Sequence, residues 1–246
     1  MADELQVFRG KDYELNSKIT IHQPTLDEIC RYGEHEYFSM ITMICSTPAD
    51  RKVEIWDRQH VYWDKVDEYE LFLGTFPAIG KEDLSIIFPT LDTSTFTPSI
   101  PNGQRLDNLT IVLVNKDGVV IDRAIYKLMT DYIRNMHNMK KNVDVPYNKY
   151  TADIMIEDDR DEMARLKNKP YKSNLLPMIS AMTNYRDFKY DWNTVWDLPI
   201  SVFMDAITRV QVIRRADQLS QGIYAGTVDF KKLDKRLLDW MSDIKK

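Results

Sequence analysis

The segment that comes nearest to a phosphate-binding loop runs from Gly74 to Lys81 and is followed by Glu82. Such a loop has four residues between its glycines, so that successive N–H groups converge on the phosphates, and a Ser or Thr after its lysine to hold magnesium. Here five residues separate Gly74 from Gly80, and one of them is Pro77, which has no N–H. Glu82 takes the place of the hydroxyl and would repel a phosphate. The segment therefore predicts an ordinary loop and no nucleotide site.

The run from Glu157 to Glu162 holds five carboxylates and one arginine, a composition that a divalent cation would suit. Glu157 and Asp161 share one face of a predicted helix. The helical spacing also pairs Glu157 with Arg160 and Asp161 with Arg165, which is typical of a solvated helix face. A hard-cation site needs oxygen ligands from other elements as well, and the sequence assigns none. We therefore predict no metal site.

The histidines and cysteines show no spacing typical of a catalytic or metal site. The chain has no HExxH motif and no GxSxG elbow. Cys30 and Cys45 lie in predicted helices, which favours free thiols and a reducing compartment. We predict no catalytic residue and no cofactor, with a site assembled from distant residues left open as an alternative. The four histidines are His22, His35, His60 and His137.

Large apolar and aromatic side chains are concentrated at both ends of a long amphipathic helix predicted to begin at Pro199. They either pack under the helix ends, as most large aromatic residues do, or form a docking surface, because Trp and Tyr are frequent interface anchors. The candidate partner-binding residues are Tyr190, Trp192, Trp196, Ile223 and Tyr224.

The elements that carry these residues predict an α+β fold, predominantly helical with an N-terminal hairpin and a central hairpin. The first hairpin joins Leu5–Phe8 to Ile19–Ile21 through a turn near Gly10. The second joins Leu109–Val114 to Val119–Ile121 through a turn that ends in Asp-Gly, which tolerates the positive φ such connections need. The Thr-, Ser- and Pro-rich segment Phe88–Arg105 predicts a long loop.

Helical signals cover the rest of the chain. Thr25 and Glu28 fit a capping box that begins one helix. Phe203, Ile207, Val210 and Ile213 recur at helical spacing and predict a buried stripe on the long helix. We predict an N-terminal α+β lobe with the central hairpin over residues 1–140 and a C-terminal helical lobe over residues 141–246, or one continuous domain.

Composition narrows the class of protein. The chain of 246 residues is 43% hydrophobic and 29% charged, which is typical of a globular protein. Its net charge of −5 gives no electrostatic reason to expect a nucleic-acid partner. No apolar stretch approaches the roughly 20 residues that span a bilayer, and the N-terminus has no signal-peptide pattern. These features predict a cytoplasmic protein with no membrane partner.

Two stretches of the sequence resemble an uncharacterised family of tail-morphogenesis proteins from tailed phages and prophages of Gram-positive bacteria. The first is KITIHQPTLDEI at positions 18–29 with YGEHEY at 32–37. The second is FKYD at 188–191, TVWD at 194–197 and FMD at 203–205. The resemblance runs from about Phe8 to Trp240 and carries over no functional residue.

The resemblance implies a tail assembly chaperone, a helical protein of the host cytoplasm that binds the tape-measure protein, or another tail protein, before the tail tube polymerises around it. The alternatives are a structural virion component such as a tail or connector subunit, an enzyme whose site is dispersed in the sequence, and an inhibitor of host defence. The oligomeric state is left open.

Overall fold

A computed structural model describes Leu5 and residues 8–101 and 110–242. Within these ranges the fold is α+β and mostly helical, as predicted, with two small antiparallel sheets. The strands are β1 (Tyr13–Asn16), β2 (Ile19–Ile21), β3 (Thr97–Ser99), β4 (Val112–Val114) and β5 (Val120–Ile121). The α-helices are α1 (Leu26–Tyr32), α2 (Glu34–Cys45), α3 (Lys52–Gln59), α4 (Glu68–Ile79), α5 (Arg123–Met136), α6 (Lys149–Leu166), α7 (Leu175–Thr183) and α8 (Ile200–Tyr224).

The N-terminal hairpin forms, but its first strand was predicted in the wrong place. β2 pairs with β1 and not with Leu5–Phe8. Leu5 and Phe8 have helical backbone, and the Arg9 N–H donates to the Leu5 carbonyl oxygen at 3.0 Å. The turn follows Asn16. Its side-chain oxygen accepts from the Lys18 N–H at 2.8 Å and from the Ile19 N–H at 2.9 Å. This local turn chemistry outweighs the signal at Gly10.

The central hairpin is confirmed where the structure describes it. β4 pairs with β5, and Leu113 lies opposite Ile121. Gly118 in the connecting turn has a φ of 67°, which glycine adopts without a Cβ penalty. Leu109 lies outside the described residues.

The long loop predicted over Phe88–Arg105 is partly wrong. β3 lies inside it and pairs with β4, which extends the hairpin to a sheet of three strands. Phe88 and Phe96 are buried in the main core, so their side chains hold the segment against the body. Residues 102–105 of this prediction lie outside the described part of the chain.

The loop predicted from Gly74 is partly wrong, because Gly74 to Ile79 form the end of α4 and the turn begins only at Gly80. Phe76 and Ile79 are buried there and draw the helix onto the core. Position 80, directly after the helix, requires glycine because a Cβ there would lie 2.3 Å from the Thr93 carbonyl oxygen. The glycine serves close packing of two backbone segments.

The main hydrophobic core draws on both predicted lobes. Ile19, Tyr37 and Phe76 from the N-terminal part share one cluster with Ile179 and Phe203 from the C-terminal part. A second, smaller cluster lies between α3 and α6 and contains Ala49, Val53, Ile55, Trp63, Ala152 and Ile156. The division at residue 140 stays a prediction.

The start of α8 is joined to the start of α1 by backbone hydrogen bonds. The Leu26 N–H donates to the Leu198 carbonyl oxygen at 3.0 Å, and the Ile200 N–H donates to the Pro24 carbonyl oxygen at 2.9 Å. The predicted capping box of Thr25 is confirmed at the same place. The sequence stretches 18–29 and 188–205 therefore meet at one junction, which their backbone hydrogen bonds and buried side chains stabilise.

The predicted buried stripe of α8 is only partly correct. Phe203 is fully buried, whereas Ile207, Val210 and Ile213 are each half-buried. The helix has 25 residues, a length of about 37 Å at 1.5 Å per residue. The junction fixes its first turns against the core, and the remainder has less of the body to pack on. A helical stripe identifies an apolar face without fixing what covers it.

Candidate partner-binding surface

In the described part of the chain, the residues with reactive or metal-binding side chains are not gathered in one site. His137 is buried, and its Nδ1 and Nε2 lie 2.7 Å from the Ile133 carbonyl oxygen and the Tyr37 hydroxyl respectively. His22 lies between the carboxylates of Asp12 and Glu28, at 2.7 and 3.3 Å. Over the described residues, no three His, Cys, Asp or Glu side chains come together as a metal site would require.

The acidic run is paired much as a solvated helix face predicts. Glu157 and Arg160 form the predicted ion pair at 3.0 Å. Arg165, however, pairs with Glu162 at 3.1 Å and not with the predicted Asp161. Asp159 faces the other way and forms an ion pair with the buried Lys52 of α3, while Glu157, Asp158, Asp161 and Glu162 are exposed.

The five candidate partner-binding residues fall into two groups at opposite ends of α8. Trp192 is 57% exposed at the N-terminal end, where its ring lies edge-on to Trp196 at 5.8 Å between centroids. Trp196 is half-buried and packs on the core. Tyr224 is 92% exposed at the other end. Because α8 separates the ends by about 37 Å, the structure makes them two patches.

Tyr190 and Ile223 complete these two groups. Tyr190 is exposed and packs beside Phe188, with 5.5 Å between ring centroids. Ile223 is half-buried in the last turn of α8. Of the five, Tyr190, Trp192 and Tyr224 are exposed and accessible to a partner, whereas Trp196 contributes to the core.

An apolar groove that no sequence pattern predicted lies between α7 and α8. Its volume is about 310 Å³, which is at the small end for ligand pockets and has room for a few side chains. Two methionines contribute to its walls, and such flexible side chains adapt to different partners. The lining residues are Pro177, Met178, Ala181, Met182, Tyr185, Ile207, Val210, Gln211 and Arg214.

Glu34 holds one wall of this groove in place. Its carboxylate accepts hydrogen bonds from the Asn174 N–H at 2.7 Å and the Leu175 N–H at 2.9 Å, at the beginning of α7. Burial acts to raise the pKa of Glu34, but hydrogen bonds from Ser173 and from these two N–H groups outweigh it and lower the pKa. The ionised carboxylate therefore anchors the N-terminus of α7 to α2.

Arg214 gives the rim of the groove a positive charge. Its guanidinium lies over the Tyr185 ring, with Cζ 5.9 Å from the centroid. Among the residues that the structure describes, none places a carboxylate within ion-pair distance of Arg214. The groove thus combines an apolar floor with a guanidinium, an arrangement that suits an apolar side chain next to a carboxylate.

A second exposed apolar row, also missed from the sequence, precedes α6. Val143, Val145 and Tyr147 are exposed, Tyr147 to 93%. The backbone between them is tied to the body, because the Trp63 Nε1 donates to the Asp144 carbonyl oxygen at 2.8 Å. Apolar residues at the alternate positions 143, 145 and 147 were the available signal, but they fall outside every predicted element.

The comparisons with known proteins match only the C-terminal part of the chain. Residues 167–245 match the model of a family described as the YomV second domain, a phage-associated domain. The match includes every residue that lines the groove and all five candidate partner-binding residues. No curated protein and no solved structure gave a significant match. No helix in the described ranges is long and apolar enough to cross a bilayer. About a third of the chain is thus similar to a phage-associated domain family.

Proposed function

We propose that this protein is a phage morphogenesis protein of the tail assembly chaperone type, which binds a tape-measure or other tail protein. The observation that carries the proposal is the uncovered surface of α7, α8 and the connection between them. There an apolar groove and the exposed Tyr190 and Trp192 lie inside the segment that matches the phage-associated domain. We call the groove and these two aromatic residues the α7–α8 surface.

The chemistry of this surface is that of binding. Met178, Met182 and Val210 offer apolar contacts that adapt to a partner, and Trp192 offers an exposed aromatic anchor. A chaperone has to cover an apolar segment of its client and later release it. A surface of adaptable side chains around one guanidinium suits that task, because it gains affinity from burial with few directional bonds.

Co-expression with the tape-measure protein of the same phage genome tests the proposal. Trp192→Ala and Met178→Asp change exposed positions of the α7–α8 surface, so we expect the melting temperature to stay close to that of the wild type. Truncation of an interface anchor costs about 2 kcal/mol or more, which is about 30-fold in affinity. Both variants should therefore retain much less tape-measure protein on purification.

Tyr147→Ala is the control, because Tyr147 is an aromatic residue even more exposed than Trp192 and lies outside the α7–α8 surface. It should co-purify with the partner as the wild type does. Equal retention by all three variants would contradict the proposed binding surface.

Purified virions separate the chaperone from a structural subunit. A chaperone leaves as the tail tube closes, so mature particles should lack this protein. Its presence in them at a fixed stoichiometry would contradict the chaperone function and favour the structural alternative.

A further inference from the structure

The last six residues of α6, Asp161–Leu166, extend beyond the body, and each of them is exposed. We call this segment the α6 tip. Met163 and Leu166, exposed to 60% and 49%, continue the helical stripe on which Ala152 and Ile156 are buried against α3. The apolar face of α6 therefore begins in a core and ends uncovered.

A carboxylate flanks the uncovered part of this stripe. Glu162 lies four residues before Leu166, on the neighbouring face of the helix. Its ion pair with Arg165 joins two largely exposed side chains, and such pairs contribute little to stability. Glu162 is thus available for another cation at small cost.

The α6 tip offers what the groove between α7 and α8 accepts. The groove presents Met178, Ile207 and Val210 beside Arg214, which pairs with none of the described carboxylates. The tip presents Met163 and Leu166 beside Glu162. One side is apolar with a guanidinium and the other is apolar with a carboxylate.

We infer that the α6 tip of one copy of this chain docks into the α7–α8 groove of a second copy, with Glu162 paired to Arg214. The occupant is another copy because this chain itself carries a tip that complements the groove, with apolar side chains beside a carboxylate where the groove has apolar side chains beside a guanidinium.

Two arrangements satisfy this contact. Two copies exchange their tips reciprocally around a two-fold axis, or each copy docks into the next and association continues into a ring or an open chain. A groove filled by a neighbouring copy is closed to any other partner until the copies separate. This inference goes beyond the proposed function and does not depend on it, because purified chain alone tests it.

Analytical ultracentrifugation of the full chain measures the association. We expect oligomers that grow with concentration in the wild type. Arg214→Glu reverses the charge of the groove and leaves the tip unchanged. Glu162→Lys reverses the charge of the tip and leaves the groove unchanged. Each should weaken self-association about tenfold or more, because like charges meet at the contact.

Two further samples test the pairing of position 162 with position 214. An equal mixture of the Arg214→Glu and Glu162→Lys chains should associate as the wild type does, in alternating order, because each tip then meets a groove of the opposite charge. A single chain carrying both substitutions should regain the oligomers of the wild type. The controls are Arg215→Glu and Asp161→Lys, which change adjacent exposed residues that point about 100° away on their helices and should associate as the wild type does.

Circular dichroism of each variant verifies that the helices are retained. A wild type that stays monomeric up to about 1 mM, the weakest affinity of interest, overturns the inference. So does a mixture that associates no better than either variant alone, and so does equal weakening by the two control variants. None of these results bears on whether a tape-measure protein is retained in the co-expression experiment.

Discussion

Replacement of His137 by Gln should flatten the acid dependence of stability. The imidazole is fully enclosed, its Nδ1–H donates to the Ile133 carbonyl oxygen, and its Nε2 accepts from the Tyr37 hydroxyl. Burial lowers the pKa of His137 from 6.5 to about 4, although the hydrogen bond to Ile133 acts in the opposite direction. The folded protein therefore keeps this histidine neutral at a pH where the unfolded chain protonates it.

The sign and the size of the effect follow from that difference in pKa. Above pH 6.5 the histidine is neutral in both states, so its contribution to stability is complete. As the pH falls from 6.5 to about 4, the unfolded chain takes up a proton that the folded chain does not, and the free energy of unfolding decreases. The full loss from this one residue is about 3 kcal/mol, a large fraction of the 5–15 kcal/mol typical of a domain.

Urea unfolding, followed by tryptophan fluorescence at a series of pH values between 7 and 4, measures this loss. His137→Gln loses hydrogen bonds and should be less stable at neutral pH by about 1–3 kcal/mol. Its curve against pH should nevertheless be flatter than that of the wild type by about 3 kcal/mol. Carboxylates such as Glu28 and Glu34 titrate in both proteins and cancel in the comparison. Parallel curves would refute the reasoning, and Tyr37→Phe, which keeps the imidazole, should retain the wild-type slope.

Two further predictions concern the helices that form the junction. Thr25→Ala removes the hydroxyl that accepts from the Glu28 N–H at 3.2 Å, so unfolding by denaturant should show a loss of about 1 kcal/mol; an unchanged midpoint would mean that the cap contributes nothing. Phe203→Ala should cost about 3–5 kcal/mol because the ring is fully buried, whereas Ile207→Ala on the same stripe should cost about half of the 2–5 kcal/mol expected for a buried isoleucine. Equal losses at the two positions would contradict the partial burial of α8.

Local chemistry was readable from the sequence where a few neighbouring residues determine the structure. The capping box at Thr25 and the Asp-Gly turn before Val119 involve groups three or fewer residues apart, and both form. β3 was missed because Thr, Ser and Pro dominate its segment, although Pro98 is tolerated on an edge strand. The first strand of the N-terminal hairpin was predicted too early in the chain, because the Asn16 side chain and not Gly10 determines the turn.

The candidate surface depends on contacts that no local pattern contains. Trp192 and Trp196 are the same residue type in the same short segment, yet one is exposed and the other packs on the core. The groove arises because α7 and α8 approach each other across a connection of 16 residues, 184–199. Composition suggested a binding role for the aromatic residues near α8. Only the packing of the two helices shows which of them is exposed to a partner and which is part of the core.

The junction between Pro24–Leu26 and Leu198–Ile200 has a consequence for synthesis of the chain. The two segments of this contact are 174 residues apart in the sequence, from position 24 to position 198. At a translation rate of about 5–20 residues per second, the first waits about 9–35 s for the second to be made. During that time Ile19, Ile21 and Leu26 lack the α8 side chains that complete their core. A ribosome that stalls before residue 198 therefore holds a nascent chain with apolar surface still open to chaperones and proteases of the cell.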